Sequence, residues 1–134
     1  RDGSVKVLSG DGARIIANLF GPGARISAIE FSPNGKLLAA ASNDGNVYLW
    51  NTLNWEDPPV VFTENNGFVL SLCFNRNSSY FYSGSVDFPR MVGRPLDPDL
   101  MASNFCSLLS RNLTREEWNQ YFGQDIPYEE TCPR

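Results

Sequence analysis

Phe31-Ser32-Pro33-Asn34-Gly35-Lys36-Leu37-Leu38-Ala39-Ala40-Ala41-Ser42-Asn43-Asp44-Gly45-Asn46-Val47-Tyr48-Leu49-Trp50-Asn51 is the stretch that decides how this chain is read. Ser32-Pro33-Asn34-Gly35 is a turn signal, because proline presets φ and glycine accepts positive φ. Residues 36–42 are nearly all apolar, as in a strand buried on both faces. Asn43-Asp44-Gly45 signals a hairpin. Residues 46–51 then alternate, with Val47, Leu49 and Asn51 on one face and Tyr48 and Trp50 on the other. The stretch has partial copies on both sides. Asp2-Gly3-Ser4-Val5-Lys6-Val7-Leu8-Ser9 matches Asp44 to Asn51 at a shift of 42 residues, and Phe74, Ser85 and Asp87 match Phe31, Ser42 and Asp44 at a shift of 43.

A period of roughly 40–45 residues carrying four short strands is the mark of a β-propeller blade. Working outward, residues 13–20, 25–31, 59–63, 68–74 and 80–85 read as further strands, with Ser27, Ile29 and Phe31 on one face and 59–63 opening the next cycle. The last strand, within 88–96, is interrupted by Pro89 and Gly93, which suit an edge or a bulge. At Asp97 the pattern becomes helical. Asp97 is an N-cap followed by Pro98 and Asp99. Met101, Phe105 and Leu108 recur at helical spacing. Thr114 and Glu117 form a capping box for a second helix, Leu113 and Trp118 stand at staple spacing, and Gly123 suits its C-terminal end. The expectation is an all-β array of propeller blades over 1–96, about two blades plus one strand of a third, followed over 97–134 by a two-helix cap packed on the blades through Trp118, Tyr121 and Phe122. About 160 residues are needed for a ring of four blades at this period. The ring must therefore be partial, completed by preceding sequence, a separate cleaved chain or identical copies, the first two ahead of the third.

Composition narrows the function. Of 134 residues 42% are apolar and 19% charged, enough to build a core. Residues 1–96 hold eight acidic and eight basic residues, so the net charge of −4 resides in the tail. With no basic stripe, nucleic acid is not an expected partner. No apolar run reaches membrane-spanning length, and no signal peptide is visible. Cys73, Cys106 and Cys132 read as thiols in a reducing compartment, hence a cytoplasmic location. The chain opens inside a repeat, which reads as a piece of a longer polypeptide.

Asp44 to Asn51 resembles the closing strand of a WD40 repeat, with Trp50-Asn51 in place of Trp-Asp, and Phe31 to Gly35 resembles the turn between that family's inner strands. The resemblance implies a rigid propeller platform for protein contacts. It also implies a buried network of His, Asp, Ser/Thr and Trp, of which Asp44, Asp87 and Trp50 remain. The chain has no His, and Gly21-Pro22 and Asn65-Asn66 stand near the family's Gly-His position. Leu8 stands where the upstream copy calls for Trp. The tail, from Arg94-Pro95-Leu96-Asp97-Pro98-Asp99 through Cys106 and Ser110 to Trp118, then Ile126 to Pro133, resembles the C-terminal end of large bacterial WD-repeat proteins. In those, propellers follow a signal-transducing NTPase or a caspase-like protease.

Catalysis is not expected, because without His a Ser or Cys nucleophile lacks its usual base. Asp97/Asp99 and Glu116/Glu117 are explained by helix N-termini, and Glu129/Glu130 by a solvated terminus. No metal-ligand set or phosphate loop is complete, so no cofactor or metal is expected. Among the aromatics, strand positions are first explained by packing. Trp55 is the exception, lying in the loop 52–58 beside Glu56 and Asp57, and these three are the candidate partner contacts. The sequence thus points to a non-catalytic protein-interaction or ligand-sensing platform in a bacterial signalling protein. The alternative is a structural latch on the propeller of an enzyme encoded elsewhere in the polypeptide.

Overall fold

A computed structural model describes residues 3–19, 23–63, 67–87, 90–130 and 132. The Gly21-Pro22, Asn65-Asn66 and Pro89 readings lie outside these residues. The chain divides into two compact units, Arg1–Arg94 and Pro95–Arg134.

Among the described residues the first unit contains nine strands in three antiparallel sheets. β1 (Val5–Leu8) pairs with β2 (Ile15–Leu19). β3 (Ile26–Phe31), β4 (Leu37–Ser42), β5 (Asn46–Asn51) and β6 (Val60–Thr63) form a four-stranded meander. β7 (Val69–Phe74), β8 (Tyr80–Ser85) and β9 (Val92–Pro95) form a three-stranded one. The nine strands match the expected number, but their grouping corrects the expected assignment to blades. Residues 60–63 do not open the next sheet. They fold back on β5, with Val47 opposite Phe62 and Leu49 opposite Val60. Sheet and sequence repeat are offset by one strand, because the loop after β5 returns the chain to β5's own open edge.

β4 is the buried centre of this unit. Leu38, Ala39, Ala40, Ala41 and Ser42 are all inaccessible, and the small side chains let a sheet pack on each face. On one face Leu38, Ala40 and Trp50 form a cluster with Val5 and Leu19 of the first sheet. On the other, β7 packs against β3 and β4, and Phe62 meets Phe81 edge-on at 5.0 Å. Two side chains stitch these sheets together. The Ser27 hydroxyl donates to the Val69 carbonyl, and the Ser78 hydroxyl accepts from the Asn34 amide at 3.0 Å.

The turns recur with substituted chemistry. In Ser32–Leu37 the serine hydroxyl accepts from the Leu37 amide at 2.9 Å, and Gly35 sits at φ +72°. In the next copy the Asn75 side chain accepts from Tyr80 at 2.9 Å, and Ser78 occupies the glycine position at φ +59°. A non-glycine residue there carries backbone strain. Gly93 has a packing role. A Cβ there would lie 2.7 Å from the Tyr82 ring, so that ring occupies the space a side chain at 93 would need.

In the second unit, α1 (Pro98–Leu108) begins at Asp97, whose side chain accepts from the Asp99 amide. α2 (Arg115–Phe122) begins at Thr114 with both bonds of the capping box, and Gly123 at φ +87° ends it. No residue of either helix is fully buried. Met101, Phe105 and Leu108 are exposed. Cys106 and Cys132 are not thiols. They form a disulfide, with Cα atoms 5.4 Å apart across 26 residues of sequence. The Asn112 amide prepares this closure, accepting from the Cys132 amide at 2.8 Å and donating to its carbonyl at 2.9 Å. Cys73 alone is free. The free-thiol argument for a reducing compartment therefore falls away.

Candidate partner-contact cleft

The loop between β5 and β6 is built by side-chain amides. Asn51 accepts from the Leu53 amide and Asn54 from the Glu56 amide. Both donate to the Asp57 carboxylate, at 3.3 Å from Asn51 and 2.8 Å from Asn54. Thr52 anchors the near end, its hydroxyl donating to the Gly35 carbonyl at 2.6 Å. Such local bonds fix a loop without a core beneath it.

This loop forms one wall of an open cleft of about 420 Å³. The other wall is the edge of β2, Ile16 to Leu19, with Trp50 between them and Pro58-Pro59 at the end. Trp55, Glu56 and Asp57 all line it, so the structure brings the three expected contact residues to one place. It divides their roles. Trp55 is half-buried against the Trp50 cluster and forms part of the cleft wall. Asp57 is committed to the two asparagine amides. Glu56 is exposed, and its carboxylate has no partner among the described residues. The contribution of β2 was not legible in the sequence, because the wall exists only through packing of one sheet on the next.

The remaining motif residues are dispersed. Trp50 is a core residue, 1% exposed. Asp44 is exposed and serves its own hairpin, accepting from the Asn46 amide at 3.0 Å and the Tyr48 hydroxyl at 2.6 Å. Partial burial, and then the bond to Asp44, raise the Tyr48 pKa. Asp87 is exposed, and its carboxylate lies where a side chain at Gly67 would project. In the second unit Trp118 donates to the Ile126 carbonyl at 3.0 Å and packs on Phe122 and Tyr128. Tyr121 is exposed. Among the described residues no three His, Cys, Asp or Glu side chains converge as metal ligands. None of the described helices is long and apolar enough to cross a membrane.

Successive antiparallel sheets packed on both faces of the small-residue strand β4, with the motif tryptophan in the sheet interface, are consistent with a repeat protein of WD type. The sequence matches the WD domain, G-beta repeat family over residues 13–51 and 57–88, more than half of its length, and the chain belongs to that family. No curated protein matches it. Repeats of this family generally mediate protein interaction.

Proposed function

We propose that the chain is a non-catalytic protein-interaction platform, part of a propeller within a larger bacterial signalling protein, and that it contacts its partner at the Trp55 cleft. The observation that carries this reading is the convergence of Trp55 and Glu56 on an open groove whose loop is held by five side-chain hydrogen bonds. A pre-ordered wall lowers the entropy cost of binding. An aromatic wall beneath an unpaired carboxylate suits a peptide segment with a basic side chain next to an apolar one. The signalling context is supported by the likeness of residues 94–133 to the ends of bacterial WD-repeat proteins.

The test is selection of short displayed peptides on the chain. Enriched peptides pair Lys or Arg with an aromatic or aliphatic residue. Trp55→Ala weakens them about tenfold or more, as for an interface hot spot, and Glu56→Lys reverses the charge preference. Peptides that bind equally well to Trp55→Ala overturn the assignment of the cleft.

A further inference from the structure

Ile16, Ala17, Asn18 and Leu19 all border the Trp55 cleft, although neighbours along a strand point to opposite faces of their sheet. Ala17 and Leu19 face the Trp50 cluster, so Asn18 points the other way. A cleft that touches both faces of β2 runs along its edge. That edge is open among the described residues, because β2 pairs only with β1. The main-chain N–H and C=O groups that β1 leaves unpaired are therefore turned to the cleft.

β2 holds in its sheet the place that β6 holds in the next. Each follows the strand of an Asp-Gly copy, and each pairs on one side only. A strand laid on β2 is thus an addition beyond the last strand and replaces none that the next sheet contains. Open edges are ordinarily blunted by charge or proline. β2 is Ile-Ile-Ala-Asn-Leu, with neither, and Ile15 and Ile16 are each 54% exposed. The register slips at Ile16, which has no partner on β1, so regular pairing is offered from Ala17 to Leu19. Across the cleft stands the 52–58 loop, fixed by its own hydrogen bonds, with Trp55 as wall and Glu56 exposed.

We infer that the partner segment is an extended peptide that adds as a strand to the open edge of β2, between β2 and the Trp55 loop. The inference rests on the reading of this cleft as the partner contact and specifies how it is used. Main-chain bonds to β2 supply affinity, and alternate side chains supply specificity. The set on the Leu19 face is apolar and packs on Trp55, and a lysine or arginine stands beside the Glu56 carboxylate. A proline-rich helix also suits an aromatic wall, but it offers no row of N–H groups to a sheet edge. A second copy paired β2 to β2 brings no Lys or Arg opposite Glu56.

The probe is a capped peptide copying Ser4 to Ser9, Ser-Val-Lys-Val-Leu-Ser, which alternates apolar residues around one lysine. It is added to the full chain. Hydrogen exchange of the β2 amides that β1 leaves unpaired is expected to slow about tenfold or more on saturation. N-methylation at one set of alternate peptide residues abolishes the effect and at the other set leaves it, because a strand turns only every second N–H to one edge. Glu56→Lys, at an exposed position, keeps the fold and weakens the peptide about tenfold or more. Unchanged β2 exchange, or equal tolerance of both N-methyl sets, overturns the inference, and displayed peptides that still depend on Trp55 would then leave the cleft standing without an added strand. Alternating N-methyl sensitivity that survives both Trp55→Ala and Glu56→Lys supports the added strand and rejects those two residues as its contacts. Slowing that appears without peptide and tracks a concentration-dependent dimer in sedimentation makes a second copy the occupant and overturns the inference.

Discussion

The two units of this chain are held together by different physics. In the strand unit the central strand is inaccessible and the burial of Trp50, Leu38, Val47 and Phe81 supplies the stabilisation. In the helical unit neither helix buries a residue. A disulfide, two asparagine bonds to Cys132, a capping box and the Trp118 contacts do the holding. Apolar repeats build a core from many small contributions. A short segment without a core needs covalent closure and satisfied backbone ends.

The contrast can be broken at its strongest point first. Trp50→Ala empties a site in a sheet interface and is expected to cost about 4 kcal/mol, measured by urea unfolding followed at the strand amides. A loss below about 1 kcal/mol would show that burial does not govern this unit. Next, Cys106→Ala opens a loop of 26 residues, which the chain-entropy relation puts at about 3.5 kcal/mol. Exchange of the α2 amides reads the effect, and retention of protection in reductant would refute covalent closure as its support.

Ser78 sharpens the comparison inside the strand unit. Ser78→Ala keeps the left-handed backbone and removes the acceptor for the Asn34 amide, a loss of about 1 kcal/mol. Ser78→Gly removes the strain as well and should fall closer to the parent. If alanine and glycine behave alike, strain at this turn contributes nothing.

The smallest effect is one of pH. Arg111 donates twice to the Glu117 carboxylate at 2.7 Å, and the Thr114 amide adds a third bond. These hold its pKa at about 2, below the ordinary 4.5. A depressed carboxylate contributes stability that is present above the unfolded value and lost as pH falls toward the folded one. Helicity of α2 is therefore expected to decline between pH 4.5 and about 2, and Glu117→Gln to flatten that profile.

Much of this was legible because it is local. Asp97, Thr114 with Glu117, and Gly123 cap helices through bonds spanning two to four residues. The β3–β4 and β4–β5 turns are written in Ser32 to Gly35 and in Asp44-Gly45, and Trp50 follows from its place in the repeat. The cleft was half legible: Trp55, Glu56 and Asp57 stood out as a loop triplet with no packing duty, but Ile16 to Leu19 opposite them did not.

The sequence by itself determined the strands, their turns, the helix ends and the family, since each is set by neighbouring residues or by a repeat. Only the tertiary structure decided that β6 belongs with β5, that Cys106 meets Cys132, and that β2 stands across the cleft from Trp55. Those depend on which edges and faces lie close after folding, and residue spacing does not encode that distance.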